Sequence, residues 1–309
     1  MDEDPVVSPL RRAEAKRCGL TDSRLRRTHS PVFRGVHLPK GQPRMLADRL
    51  RAALAVVTPG SFVSHHSAAQ LWGAIVPDHP DVHVTSRVNR TRRQGITAHR
   101  AKKDQTVVRW AGFAVTSPTQ TFLDMGHHLT LVDLVVLGDS LVRRKRTTPD
   151  ALVSAADGKV GPYRRLARRA ASLVRRGVDS AMETRVRLLV VLAGLPEPEV
   201  DHRVHDADGN LVRRYDLSYL PFPLILEYDG RQHAESTLQW QGDIDRDEAL
   251  DDDGIRRLVI VRDGVYGKPG TTLVRIMRAM RRAGMPVPPL KDEWRRHFPG
   301  RPGDVLHPR

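Results

Sequence analysis

The stretch Leu224-Ile225-Leu226-Glu227-Tyr228-Asp229 begins as an apolar run and ends in two carboxylates separated by one residue. Residues two apart on a strand project to the same face of a sheet, so Glu227 and Asp229 are expected side by side. An earlier run contains Asp216, which would join them if the two strands pair. Oxygen ligands that converge on one point suit Mg²⁺ or Mn²⁺. The sequence therefore predicts a metal site formed by Asp216, Glu227 and Asp229.

Charge indicates a class of partner. The chain has 309 residues, 51 Lys and Arg against 36 Asp and Glu, and a formal net charge of +15. This balance favours a nucleic acid such as DNA, with a ribosome-associated or membrane-surface role as the alternative. Of the 36 acidic residues, 16 lie between Glu197 and Asp253. A basic chain with an acid-rich patch is more typical of a nuclease than of a simple DNA binder, because carboxylates hold the metal that activates water.

Cysteine usage and hydropathy limit the cellular setting. A single cysteine, Cys18, excludes an internal disulfide and a cysteine-based zinc cluster, and it favours the reducing cytoplasm. The N-terminus is acidic and lacks an apolar segment, and no apolar run approaches about 18 residues. We therefore expect a soluble, cytoplasmic protein with no membrane partner. The sequence does not indicate an oligomeric state.

Residues 1–42 predict a winged helix-turn-helix. Leu10 to Cys18 is compatible with a helix, Gly19 ends it, and Thr21 can cap a short basic helix, after which 32–38 is typical of a strand. In such a module the second helix enters the major groove of DNA. The alternative is a solvated basic helix on a small scaffold. The residues expected to contact DNA are Arg24, Arg26, Arg27 and Arg34.

Residues 43–156 predict a mixed α/β region without a catalytic arrangement. The pairs His65-His66 and His127-His128 suggest a metal, but adjacent helix residues point in different directions and the sequence supplies no cysteine or carboxylate partner. Packing or surface histidines are therefore favoured. The basic loop 87–93 either contacts phosphates or faces solvent.

A basic linker helix is expected within 157–179, followed by a compact domain over 180–290 and a loose, Pro- and Arg-rich tail over 291–309. The periodicity of 180–290 predicts the order αβββαβ and a further helix. Ser180 and Glu183 fit a capping box, which would explain the glutamate without catalysis. A glutamate in the first turn of a helix beside the sheet could also reach the metal.

Three motifs in this second half carry a resemblance. They are the run Met182 to Leu188, the triplet Tyr215-Asp216-Leu217, and Glu227-Tyr228-Asp229-Gly230-Arg231-Gln232-His233. Together they resemble a domain family of unknown function related to the very-short-patch-repair endonucleases, within the restriction-endonuclease-like, PD-(D/E)XK superfamily. The resemblance covers 180–285 and implies that superfamily's αβββαβ core.

What the resemblance implies is a metal-dependent DNA endonuclease. Asp216 and Glu227 match the metal-binding acids, Asp229 an additional carboxylate, His233 the proton-handling histidine and Glu183 the helix glutamate. One position departs from the superfamily pattern: a lysine is expected two residues after the second acid, where this chain has Asp229. Arg231 or His233 would have to supply that positive charge. The zinc-binding cysteines of the repair endonucleases are also absent from the sequence.

The first half is similar to another family. The motifs are Phe33-Arg34-Gly35-Val36-His37, the segment Ser64 to Gly73, and Val115 to Asp124. They resemble the region of AbiEi-type antitoxins and transcriptional regulators that is often fused to this nuclease-like domain in actinobacterial proteins. Two functions remain open: a metal-dependent DNA endonuclease, or a DNA-binding regulator or antitoxin-like protein whose nuclease fold is catalytically degenerate.

Overall fold

The computed structural model describes residues 8–41, 45–88, 92–230 and 254–306. The mixed α/β (α+β) class predicted from the sequence is confirmed. The chain forms two compact units: unit 1 contains residues 1–129 and 144–171, and unit 2 contains 130–143 and 172–309. The finer five-part division expected from the sequence remains a prediction. Among the described helices, none has the length and apolar character needed to cross a membrane.

Unit 1 begins with a small sheet that carries two short helices. The elements are β1 (Leu10–Arg11), α1 (Arg12–Arg17), α2 (Asp22–Thr28), β2 (His29–Phe33) and β3 (Val36–Pro39). The strands are antiparallel in the order β1-β3-β2. Thr21 caps α2 by accepting a hydrogen bond from the Arg24 amide at 3.2 Å, as its sequence predicted.

Two boundaries differ from the sequence-based expectation in this region. Leu10 and Arg11 are not helical, because they pair with His37 and Val36 of β3. The single strand expected over 32–38 is split into β2 and β3 by a turn at Gly35, whose φ of 84° is accessible mainly to glycine.

A five-stranded sheet forms the rest of this unit's β-structure. Its elements and the helices beside it are α3 (Leu46–Leu54), β4 (Phe62–Val63), α4 (His65–Leu71), β5 (Val82–Ser86), β6 (Ile96–Arg100), β7 (Val107–Trp110), β8 (Phe113–Thr116) and α5 (Pro118–Met125). The strand order is β6-β5-β4-β8-β7, with the β5–β6 and β4–β8 pairs parallel. Every residue of β5 is buried, because it lies inside the sheet with α4 packed against it. The end of α4 is tied to β8, since the Trp72 indole donates to the Thr116 carbonyl at 3.0 Å.

The chain then enters unit 2 through α6 (Leu131–Arg143) and returns to unit 1 for α7 (Pro149–Asp157) and most of α8 (Arg164–Leu173). The last carbonyls of α7 are satisfied by Arg168, whose guanidinium donates to the carbonyls of Ala156 and Asp157.

A four-stranded sheet and its helices make up the remainder of unit 2. They are α9 (Ala181–Leu192), β9 (Glu199–His205), β10 (Leu211–Ser218), β11 (Leu224–Asp229), β12 (Arg256–Val261), α10 (Arg262–Tyr266), α11 (Pro269–Arg282) and a 3-10 helix (Glu293–Arg296). Strands β9, β10 and β11 form an antiparallel meander, and β12 is parallel to β11. The helix expected near 237–252 lies outside the described residues.

A buried ion-pair network joins α6 to α9. Arg187 is fully buried and donates to Asp139 at 3.0 Å and to Glu197 at 2.9 Å. Asp139 also accepts hydrogen bonds from the Thr184 hydroxyl at 2.9 Å and the Arg175 amide at 2.8 Å. Burial raises the pKa of Asp139, and the Arg187 charge opposes that rise.

The C-terminal segment packs against unit 2 as far as residue 306, where the sequence suggested a loose tail. Trp294 and Phe298 are buried. Asp304 caps α11, because its carboxylate accepts the Gly270 amide at 2.7 Å and the Thr271 amide at 2.9 Å. The Pro- and Arg-rich composition predicted a loose tail because it gives no indication of the contacts made by Trp294, Phe298 and Asp304.

The network yields a stability prediction. Arg187→Ala should lower the free energy of unfolding by about 3–5 kcal/mol, because Asp139 would be left as a buried charge without its guanidinium. Urea denaturation followed by circular dichroism measures the change. Arg203→Ala is the control, since the pair of Arg203 with Asp201 is largely exposed on the arginine side and should contribute about 1 kcal/mol or less. Equal losses in both variants would contradict the special position of Arg187.

Candidate functional sites

The predicted metal-binding acids lie on adjacent strands of unit 2. The antiparallel register pairs Leu217 with Leu226 and Ser218 with Ile225, and its continuation by one residue sets Asp216 opposite Glu227. Directly opposed residues share one face of a sheet and have Cβ atoms about 4.5–5.5 Å apart. Glu227 is buried and Asp216 partly buried. The two carboxylates are thus held near each other with restricted access to water.

Glu183 approaches the same acids from α9. Its amide donates to the Ser180 hydroxyl at 3.1 Å, so the predicted helix cap is present. Its carboxylate accepts from the amide of Asp179 at 2.9 Å, one residue before the expected partner. Burial raises the pKa of Glu183, and the nearby negative charge of Asp216 adds to that rise. Glu183 therefore holds a proton more readily than an ordinary glutamate does.

Arg257 is a cation at this site that the sequence did not reveal. In the parallel β11–β12 register it stands opposite Ile225, which places it on the face that carries Glu227. Its guanidinium lies 3.2 Å from a Glu227 carboxylate oxygen. The sequence does not predict this contact, because an arginine at the start of a strand is common. The register of a parallel strand pair is also set by distant parts of the chain.

Other predicted residues are less closely placed. His233 and Arg231 lie outside the described residues. Asp229 follows Glu227 on the same strand face and is partly buried. Among the described residues, the oxygens of Asp216, Glu227 and Asp229 do not all lie within 4.8 Å of one another, the spacing expected of three ligands of one ion. Their joint role as metal ligands stays a prediction, with Asp216 and Glu227 the closely opposed pair.

The arginines predicted to contact DNA lie on the surface of unit 1. Arg24, Arg26 and Arg27 are exposed on α2, and Arg34 is exposed in the β2–β3 turn. A groove of about 1060 Å³ beside that turn is lined by Arg34 together with Arg92 and Arg93 of the basic loop. The Arg93 guanidinium donates to the Arg34 carbonyl at 3.2 Å. Three cationic side chains thus converge on one groove.

Histidines from separate parts of unit 1 form a cluster that the sequence did not predict. His65 of α4 meets His83 of β5 and His99 of β6, and one ring nitrogen from each lies within 4.8 Å of the others. Register explains the meeting: His83 pairs with Thr97, and Thr85 pairs with His99, so both histidines occupy one face of the sheet. His66 and His128 also contact these rings.

Burial favours the neutral form of three clustered imidazoles, those of His65, His66 and His83. Burial lowers the pKa of His66 to about 4 and that of His83 to about 2, and the positive charge that neighbouring rings would carry adds to the effect. The pKa of His65 is lowered for the same reasons. Each ring therefore retains one lone pair and one N–H at pH 7.

Comparisons with known proteins give relatives without an assigned activity. No protein-family model matches the chain. Two proteins of Mycobacterium tuberculosis, "Uncharacterized protein MT2308" and "Uncharacterized protein Rv2248", are each 27% identical over 257 residues, covering 82% of this chain and 93% of the relative. A match of this length includes residues of both units.

Proposed function

We propose that this protein is a metal-dependent DNA endonuclease of the cytoplasm, in which unit 1 binds DNA and unit 2 hydrolyses a phosphodiester bond. The observation that carries the proposal is the opposition of Asp216 and Glu227 across β10 and β11, beside a buried glutamate and an arginine. Acidic side chains are costly to bury near one another, and such clusters are typical of functional sites.

The donor chemistry fits a hard divalent cation. Asp216 and Glu227 offer carboxylate oxygens from a rigid sheet, and Mg²⁺ is commonly held by one or two carboxylates together with substrate phosphates. Asp216 and Glu227 would hold Mg²⁺ or Mn²⁺, with Asp229 as an additional carboxylate on the same strand face. When bound, the ion would lower the pKa of a coordinated water and offset charge on the phosphate.

The chain's own residues supply the remaining functions. Arg257 lies where it can attract a phosphate to the face that carries Glu227, in place of the lysine that is missing at Asp229. Glu183, with its raised pKa, can hold a proton on its carboxyl oxygen beside Asp216. The resemblance to repair endonucleases assigns proton transfer to His233.

A second candidate function is a DNA-binding regulator or antitoxin-like protein with an inactive nuclease fold. The contact between Arg257 and Glu227 favours it, because a guanidinium at 3.2 Å already neutralises one of the two proposed ligands. This candidate and the endonuclease share DNA binding and differ in catalysis.

A plasmid-nicking assay with Mg²⁺ or Mn²⁺ tests the endonuclease. Asp216→Asn and Glu227→Gln should each reduce cleavage to about one hundredth of the wild-type rate or less, because each removes a charged ligand of the ion and loss of even an outer partner of a metal site costs roughly 10–100-fold. Asp208→Asn removes the same charge from the exposed β9–β10 turn and should cleave like the wild type.

Cleavage that survives in both Asp216→Asn and Glu227→Gln would refute the assigned site. If the wild-type protein binds DNA but does not cleave it with either metal, the endonuclease proposal is wrong and the DNA-binding regulator is favoured. Circular dichroism of each variant shows whether loss of cleavage reflects loss of folding.

DNA binding by unit 1 has its own test. Arg26→Ala/Arg27→Ala should weaken binding and reduce the slope of log K against log salt by about 0.9 for each phosphate that the variant no longer neutralises. Arg281→Ala/Arg282→Ala is the matched control, since both pairs are exposed in the last turn of a helix and carry equal charge. Fluorescence anisotropy at several salt concentrations measures both. Indistinguishable slopes for the two double variants would exclude α2 as the contact surface.

A further inference from the structure

The histidine cluster of unit 1 has a defined pattern of protons. The Asp81 amide donates to His79 Nδ1 at 3.2 Å, so that nitrogen is an acceptor. The same nitrogen lies 3.0 Å from His83 Nε2, so it accepts from the tautomer of His83 that is protonated on Nε2. In that tautomer His83 Nδ1 has a lone pair and accepts from the N–H of His99 Nε2 at 3.0 Å, so an ion bound to both nitrogens would take the place of that proton.

This arrangement resembles the support that metal-binding histidines receive in proteins. A ligating imidazole usually donates its second ring N–H to a neighbouring acceptor, which fixes the tautomer and directs the lone pair to the metal. His79 is such an acceptor for His83, because its Nδ1 can accept a hydrogen bond from His83 Nε2. Ser64 is in position to do so for His65, because its hydroxyl oxygen lies 2.9 Å from His65 Nδ1 and also accepts from Thr85 at 2.8 Å.

Spacing of the ring nitrogens is compatible with a common ion. Two nitrogens on a tetrahedral Zn²⁺ at about 2.0–2.1 Å are about 3.3 Å apart. His83 Nδ1 and His99 Nε2 are 3.0 Å apart, and the three ligand atoms of the group lie within 4.8 Å of one another. Small rotations of the side chains would equalise these distances.

Two features of the cluster are energetically unfavourable. His66 Nδ1 is buried without a hydrogen-bond partner among the described residues, and its ring centroid lies 4.7 Å from that of His83. His65 has a φ of 51°, a left-handed conformation that costs a non-glycine residue about 1–2 kcal/mol. The His65 ring stacks on that of His99, with centroids 3.5 Å apart.

The cluster is also reachable from solvent. His65 and His99 line a pocket of about 480 Å³, together with His128, Asp124 and Lys102. An ion could enter by this route, and a water or small anion could complete its coordination from the pocket, as in zinc sites with three protein ligands.

We propose that His65, His83 and His99 bind a first-row transition-metal ion of the Zn²⁺ class, in a site separate from the acidic residues of unit 2. Imidazole nitrogens suit Zn²⁺, Cu²⁺ and Ni²⁺, whereas Mg²⁺ requires oxygen ligands. The inference does not depend on nuclease activity.

Metal binding by the untagged full-length protein tests this site. After removal of metals with a chelator, the protein is dialysed against Zn²⁺ and its metal content is measured by mass spectrometry. We expect one Zn²⁺ per chain, retained in excess Mg²⁺. Co²⁺ in its place should give the visible absorption of a four-coordinate ion.

Variants assign the ligands. His83→Gln and His99→Gln should each weaken Zn²⁺ binding by more than about 100-fold in competition with a chelating dye, since loss of even an outer partner costs roughly 10–100-fold. His205→Gln, at an exposed position on β9, should bind like the wild type. His99 lies at the pocket and is only partly buried, so its variant remains informative if His83→Gln does not fold.

Failure of the wild type to retain stoichiometric Zn²⁺ would overturn the proposal. Unchanged affinity in folded His99→Gln, or displacement of the ion by Mg²⁺, would do so as well. The nicking assay with Asp216→Asn reports separately on unit 2, so the two proposals can fail independently.

Discussion

The buried guanidinium of Arg187 is the interaction on which the arrangement of unit 2 depends. It donates to Asp139 of α6 and to Glu197, which follows the end of α9. Arg187 is fully buried, so solvent water cannot replace either partner. Glu183 precedes Arg187 by four residues, so both project from neighbouring positions on one face of α9. The helix face anchored by the Arg187 ion pairs is thus also the face that carries Glu183, whose pKa is raised by burial and by the charge of Asp216.

Local signals in the sequence predicted the elements of unit 2 closely. The alternation of side chains predicts a strand over 199–205, which is where β9 lies, and a strand over 223–229, one residue longer than β11. These elements are dictated by short-range features: alternation of apolar side chains, the Asp206 to Asn210 turn and the Ser180 cap. The acidic pair was predictable for the same reason, because only two adjacent antiparallel strands had to be aligned. Arg257 was not, since its place beside Glu227 requires a parallel pairing whose register is fixed by more distant packing.

The histidine cluster shows the same limit more strongly. Adjacent histidines on α4 were expected to point in different directions, but both approach His83 and join one cluster. His65 also contacts His99, and His66 contacts His79. His83 and His99 belong to parallel strands, and their meeting depends on a two-residue offset that no spacing rule reveals. A sequence search for metal motifs looks for ligands at short separations on one element. Ligands contributed by a helix and two parallel strands leave no such pattern.

Ligand chemistry separates the two candidate metal sites. Asp216 and Glu227 offer carboxylate oxygens, which are the ligands that hard cations prefer. Their affinity for such a cation falls when the carboxylates are protonated. Burial lowers the pKa values of His66 and His83, so protons compete weakly for the lone pairs of these two imidazoles. An ion held there would add positive charge to a chain that already carries +15, beside Lys102 at the pocket. Asp124 lines the same pocket, so a molecule that completes the metal's coordination would meet a carboxylate as well as the ion and the lysine.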